Sequence, residues 1–395
     1  MKQDDNLRNN LKSIRTRLGM SQQDLANLAG VTRQSISGVE SGQYAPSVAI
    51  TLRLAKALGC KVEDLFWLEQ DLPEVEAVLA KSVPSGQQVR VSLARVGGQW
   101  IAHPLIGNDA FRTEMIPADG EAVAAKGFPG ISKVPHSEGE GASETGTNKV
   151  LVRLLDDMDK LHNTVVIAGC TPVISLWARA TERWHPQLRV HYNFANSMAA
   201  LHSLCRGEVH IAGMHLYDTQ TGEHNIPFVR DVLAQRRAVV ITLGVWEEGL
   251  LVQSGNPRGI KTVTDLVETG ATIINRELGS GSRMLLERTL QQEQLSFHAV
   301  KGFNHIAKSH QEVALAVVSG IADAGISTAS IAATFGLEFI PLHQSRYDLV
   351  ILKEFLEEAP VQQLLSTLGH RLVQSQLEVL GGYDTSKIGE VVANI

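Results

Sequence analysis

Apolar residues in the first part of the chain recur at helical spacing. Leu7, Leu11, Ile14 and Leu18 share one face, and Gly19 closes that helix. Ser21 caps a second helix, SQQDLANLAG, with Asp24 three positions on, where a capping box prefers Glu or Gln. Gly30 makes the turn. Thr32 caps a third helix, TRQSISGVESG, which buries Ile36 and Val39 and turns Arg33, Gln34, Ser35 and Ser37 outward. Pro46 stops the connection, Ser47 caps a fourth helix with Ile50, Leu54 and Leu58 inward, and a short fifth covers 62–66.

From residue 69 the period changes. Residues 69–83 read as acidic and partly helical, and GQQVRVSLARVGGQWIAHPL alternates as a hairpin around Gly97 and Gly98. A further strand is expected near 111–116. Residues 127–149 are rich in Gly, Ser, Pro and Glu without periodicity, so a flexible loop is expected, its charge run from Glu138 to Glu144 solvated. Beyond Thr164, strands (TVVIAGC, LRVHYNF, VHIAGMH, ATIINR, FHAVKGF, DAGIS) alternate with helices after Pro172, across 199–205, from Gly281 and across 311–318. Short apolar strands alternating with helices imply parallel sheets covered by helices. Two such series joined by extended segments, near 245–256 and 342–347, imply two hinged lobes around a cleft. The expected organisation is multidomain: an all-α five-helix domain at 1–68, a small β-rich connector at 69–160 and a two-lobed α/β domain at 161–395.

Composition narrows the function. A chain of 395 residues with 44% hydrophobic positions suits two or three domains with real cores. The net charge of -6 excludes wholesale coating of nucleic acid, although residues 1–68 hold nine Lys/Arg against six Asp/Glu. Cys60, Cys170 and Cys205 are too few and too scattered for a disulfide scaffold or a Cys-rich zinc site, which fits a reducing compartment. The N-terminal MKQDDNLRNNLKSIR is charged where a secretory signal needs an apolar core, and no apolar run approaches a membrane span. A cytoplasmic protein without a membrane partner is expected.

The stretch TIINRELGSGSRMLL concentrates candidate chemistry. Gly279 and Gly281 allow close backbone approach, and the amides of Ser280, Gly281 and Ser282 point into the same space at a helix start. With Arg276 and Arg283 nearby, that corner favours an anion, although an ordinary turn with a capping serine explains the same letters. The pattern is not a nucleotide loop, since the Lys-Ser/Thr ending of a P-loop is missing, and no Gly-x-Ser-x-Gly elbow supplies a nucleophile. No catalytic residues and no enzyme are expected. Cys170, at another helix start, is a candidate redox thiol, but no second cysteine lies nearby in sequence. No helix spacing joins His215 to His298, His305 or His310, so no metal site is expected. Tyr347 and Asp348 are candidates for contact from the returning segment.

Two resemblances sharpen these readings. SQQDLANLAGVTRQSISGVESGQYAPS resembles the helix-turn-helix of the Cro and phage-repressor family, over about residues 6–67. It implies a third helix in the major groove, with Arg33, Gln34 and Ser37 at base edges, Thr32 and Ser35 beside them and Gln22 on phosphate. Gly38 departs from relatives that carry a long polar side chain there. A reader of half-sites implies a homodimer on double-stranded DNA. The run of AGCTP, GEVHIAGMHLYDTQTGEHN, GLLVQSGNPRGI, NRELGSGSR, GIADAGIS and RYDLVI resembles the periplasmic-binding-protein superfamily over about 160–390, closest to molybdate- and tungstate-binding members. That resemblance implies an oxyanion held by Cys170, Thr171, Arg276, Ser280 and Ser282, with His215 beside the cleft. Cys170 replaces a hydroxyl and Ser282 a threonine. The expected function is a ligand-responsive transcription regulator sensing molybdate or tungstate, with no further cofactor. The alternatives are a small organic ligand such as a molybdenum-cofactor-related pterin, a redox sensor through Cys170, and an enzyme domain fused to a DNA reader.

Overall fold

The structure, a computed structural model, describes residues 7–68, 73–81, 83, 88–110, 115–123 and 149–395. The chain forms two compact units, Met1–Pro73 and Glu74–Ile395.

In the first unit five helices, Leu11–Arg17, Gln22–Ala29, Arg33–Glu40, Val48–Leu58 and Val62–Leu65, enclose Leu11, Leu25, Ile36, Val39, Leu54 and Leu65. Ser21 and Asp24 form a reciprocal capping box, which shows that Asp serves where Glu or Gln is commoner. Gly30 is left-handed at φ 65, as the turn between the second and third helices requires. Two features were not foreseen. Leu7–Asn9 is a short strand paired with Phe66–Leu68, so the first helix starts at Leu11 and the fifth ends at Leu65. Gly38 is buried, and a Cβ there would meet the Tyr44 ring at 2.6 Å. Its missing side chain is therefore a packing matter, because Tyr44 crosses the helix to donate its hydroxyl to the Ser35 carbonyl at 2.9 Å.

The second unit begins with a closed five-stranded barrel of Glu74–Leu79, Val89–Val96, Gln99–Pro104, Gly120–Val123 and Lys149–Leu154. The helix expected within 69–83 is corrected here: residues 74–79 are a strand, with Val75, Ala77 and Leu79 inward and Glu74 and Glu76 outward, a period of two. Gly97 and Gly98, at φ 57 and 82, make the expected hairpin turn. Residues 111–114 of the anticipated strand, and the anticipated loop at 127–149 apart from Lys149, lie outside the described residues. The barrel does not stand apart as a connector, since Ala94, Val96 and Ile101 join the same apolar core as Val166, Ile167 and Val350.

The remainder is a two-lobed α/β fold. Its spine is a ribbon of two long antiparallel strands, Ala238–Val252 and Glu338–Leu352, which run through both lobes. The expected hinge segments are thus strand over 245–252 and 342–347, with 253–256 in the turn beyond, and the register shifts at Thr242/Gly244 and Glu248/Gly249. On one side the ribbon pairs with Ile211–Met214, and that strand with Thr164–Gly169. On the other it pairs with Ala324–Thr328, and that strand with Ile273–Arg276. Val165, Val166, Ile167 and Ala168 are all buried, as a parallel strand covered on both faces requires. The pairing directions point the C-terminal ends of these strands, from both lobes, at the middle of the ribbon. That is where crevices form in open α/β sheets.

Candidate functional site

The middle of the ribbon presents alternate residues to one face. Trp246 and Glu248 on one strand stand beside His343, Ser345 and Tyr347 on the other. Around them the strand ends deliver their loops. Thr164–Gly169 leads into Cys170 and Thr171 at the start of the helix Val173–Thr181, and Ile211–Met214 leads into His215. From the other lobe come Arg276 and the turn to Gly281–Gln292, Ser327 at the end of Ala324–Thr328, and His310 at the start of His310–Val318. Cys170, Thr171, His215, Glu248, Arg276, Ser280, Ser282, His310, Ser327 and Ser345 are all buried.

Glu248 is the hub. Its carboxylate accepts from Ser282 Oγ at 2.7 Å and Ser345 Oγ at 2.5 Å, and lies 3.1 Å from His215 Nδ1. Burial alone would raise its pKa, but the His215 charge and hydrogen bond, with the Ser345 hydroxyl, hold it well below the usual carboxylate range. Burial likewise opposes the His215 imidazolium, yet Glu248 and the Cys170 sulfur raise it to about 10. His310 is pushed well below its ordinary value by burial, Arg276 and His215, and stays neutral. Cys170, His215 and His310 offer ligand atoms that all lie within 4.8 Å of one another.

The two corners singled out in the sequence border the same residue. A Cβ on Gly281 would meet the His215 carbonyl oxygen at 2.2 Å, and His215 is itself grouped with Cys170. The Gly279 turn, at φ 84, docks on the facing lobe, where Met198 N donates to Gly279 O and Asn196 Nδ2 to Leu278 O, each at 3.2 Å. Among the described residues the lobes are therefore in contact. Arg276 donates Nε and Nη2 to Glu277 at 3.0 and 3.1 Å, leaving Nη1 buried without a partner. Trp246 Nε1 and His310 Nε2 are buried and unpartnered in the same way.

Several expected contacts are spoken for. Ser280 Oγ caps its own helix, accepting from Arg283 N and donating to Glu277 O, while Ser282 Oγ is committed to Glu248. Arg283 is engaged elsewhere: it pairs with Glu287 at 2.8 Å, donates to Arg276 O and lies over the Phe303 ring. Thr171 Oγ1 lies 3.4 Å from the Tyr383 hydroxyl. Tyr347 fills a slot that only glycines allow, since a Cβ on Gly169 or Gly213 would meet its hydroxyl at 2.5 or 2.2 Å. Asp348 is held by Asn225 and Arg346. Sequence reasoning missed Trp246, Glu248, Ser327, Ser345 and Tyr383, and it set His310 apart from His215, whereas the ring centroids lie 5.9 Å apart. Glu248, inside the apolar strand VWEEGLLV, carried the one readable signal, an acid where a solvated one has no reason to be.

On the first unit Arg33, Gln34 and Ser37 are exposed on the third helix. Thr32 and Ser35 are engaged in the cap, with the amide of Ser35 on Thr32 Oγ1 and the two hydroxyls 2.8 Å apart. Gln22 donates to Glu40 at 2.8 Å, which commits the side chain expected on phosphate.

Comparison with known proteins agrees with this architecture. Residues 11–65 match the helix-turn-helix family, and residues 178–369 match the PBP superfamily domain. YgzD of Bacillus subtilis, described as an uncharacterized HTH-type transcriptional regulator, is 43% identical over 65 residues, 16% of this chain and 98% of that protein. The chain belongs to the HTH-type transcriptional regulators. Within that class its reader is fused to a domain of the periplasmic-binding superfamily. YvgK of Bacillus subtilis, an uncharacterized protein, is 35% identical over 199 residues, 50% of this chain, and the match spans 64% of its length. Among solved structures, a Clostridium perfringens substrate-binding protein assigned to phosphate ABC transport, with bound phosphate, overlaps 57% of this chain and all of its own, at 14% identity and a TM-score of 0.46. An overlap that loose does not bear on the ligand.

Proposed function

We propose that this protein is a cytoplasmic regulator that binds double-stranded DNA as a homodimer and responds to a small oxyanion, molybdate or tungstate, held between its two lobes. The observation that carries the reading is a pair of buried side-chain donors without acceptors near the middle of the ribbon, Arg276 Nη1 and Trp246 Nε1, beside the first turn of the helix Gly281–Gln292, whose leading amides have no intrahelical acceptor. Buried donors left unpaired are costly, and an acceptor-rich guest satisfies several at once. Glu248 does not forbid an anion, because His215 neutralises it.

Binding favours the closed lobes by the difference in affinity between open and closed states, and closure changes the presentation of two third helices to their half-sites. Arg33, Gln34 and Ser37 carry base contact. Among the described residues no helix is long and apolar enough to cross a membrane. Calorimetry with molybdate, tungstate, sulfate and phosphate tests the reading, with binding to the first two lost in Arg276→Ala. A protein indifferent to all four, while Arg276→Ala remains folded, sinks the oxyanion and leaves the organic ligand.

A further inference from the structure

We infer that Cys170, His215 and His310 form a buried site for one borderline-soft divalent cation, zinc by preference, with ligands contributed by both lobes. The inference shares its location with the anion reading but stands on different groups.

Three observations carry it. The ligand atoms are already gathered, within 4.8 Å of one another, from three loops with no common spacing in the chain. Roughly 2.0–2.1 Å metal–nitrogen and 2.3 Å metal–sulfur bonds in a tetrahedron put these ligand atoms about 3.3–3.6 Å apart, so a contraction of at most about 1.5 Å completes the geometry. Second, both imidazoles are oriented as metal ligands are. His215 Nδ1 faces Glu248 Oε2 at 3.1 Å and His310 Nδ1 faces Ser327 Oγ at 3.0 Å, so a metal would take the other ring nitrogen of each, which is unpartnered in His310, while His215 is hydrogen-bonded to the Cys170 sulfur. Glu248 is itself steadied by two serine hydroxyls, the outer shell expected of a carboxylate–histidine–metal arrangement. Third, His310 Nε2 is buried without a hydrogen-bond partner, an arrangement that packing alone does not account for.

The donor set selects the ion. A thiolate with two imidazoles suits zinc and other borderline-soft ions, and not calcium or magnesium, which take oxygen ligands. Binding releases to solvent the His215 proton, and any proton on the Cys170 sulfur; a divalent ion with one thiolate and two neutral imidazoles then carries a net single positive charge, which replaces the imidazolium charge opposite Glu248. Three protein ligands leave a fourth position open. An oxygen of a bound oxyanion can occupy it, so the cation and the anion are not rivals.

The test uses the full chain, reduced and stripped with a chelator, titrated with cobalt(II) and then zinc(II). One cobalt per chain is expected, with thiolate-to-cobalt charge-transfer absorption in the near ultraviolet that zinc abolishes. Cys170→Ser removes the band, and both Cys170→Ser and His310→Gln weaken binding by about tenfold or more. Cys60→Ser, in the other unit, changes neither. Melting curves of each variant separate lost ligation from lost fold, and zinc raises the melting temperature of the native chain but not of Cys170→Ser. Sub-stoichiometric cobalt uptake by the native chain, or an unchanged band in folded Cys170→Ser, overturns the site. Molybdate calorimetry on the stripped chain keeps the two ideas apart. Anion binding without cobalt binding overturns this inference alone, and cobalt binding without anion binding overturns the oxyanion alone.

Discussion

Gly281→Ala addresses the contact on which lobe closure depends. The new Cβ would stand 2.2 Å from the His215 carbonyl oxygen and 2.6 Å from its Nδ1, whereas real Cβ contacts essentially never fall below 3.0 Å and rarely below 3.4 Å. The gap must therefore widen by 0.8 to 1.2 Å. The obstacle is backbone at the end of a buried strand and cannot swing aside. Overpacking of this kind costs about 1–3 kcal/mol. Gly281 belongs to one lobe and His215 to the other, so opening the lobes relieves the clash, and the cost falls on the closed state alone. That amounts to a loss of about 5- to 150-fold in the closed-to-open ratio, and the same loss in apparent affinity for any guest that binds the closed form. Small-angle scattering should show a more extended second unit, and calorimetry with molybdate a weaker site, with the melting temperature close to native. Native affinity and native dimensions in Gly281→Ala would refute the argument, because the contact would then not limit closure.

Glu248→Ala should destabilise the second unit by about 3–5 kcal/mol, the cost of removing one partner of a buried ion pair, measured by denaturant unfolding; a loss under about 1 kcal/mol would show that the hub is not structural. Glu40 gives the first unit a pH dependence. Burial alone would raise its carboxyl, but Arg15 at 2.6 Å and Gln22 hold it below its ordinary value. A depressed carboxyl contributes stability above its unfolded pKa, and that stability is lost as pH falls through the folded value. Thermal melts from about pH 7 down to about pH 3 should show the loss, and Glu40→Gln should flatten it. On DNA, Arg33→Ala and Gln34→Ala should each cost about 1–3 kcal/mol if they make bidentate base contacts, read as weaker and less selective operator binding. A uniform loss across sequences would reassign them to phosphate.

Much of the architecture was legible because it rests on local spacing. The caps at Ser21, Thr32 and Ser47, the left-handed Gly30, the Gly97–Gly98 turn and most of the strand–helix alternation after Thr164 each depend on residues a few positions apart, whereas FHAVKGF, expected as a strand, holds a short 3-10 helix at Phe297–Ala299 and the strand follows at Ile306–Ala307. Misreadings arose where a short segment suits two periods, as in EVEAVL at 74–79, or where partners come from far along the chain. The pairing of Leu7–Asn9 with Phe66–Leu68 is of the second kind.

For the site, the two glycine- and hydroxyl-bearing corners were readable as strand-to-helix turns, and nothing in the letters said which of their groups would be free. Tertiary structure decided that. It carried Glu248 along an apolar strand to Ser282, brought His310 to His215 and Cys170, turned Arg283 onto its own helix and left Arg276 Nη1 unspent. A periodic pattern records which face of an element is buried. Which side chains meet at the end of that face depends on how strands from separate lobes are aimed, and only the folded sheet sets that direction.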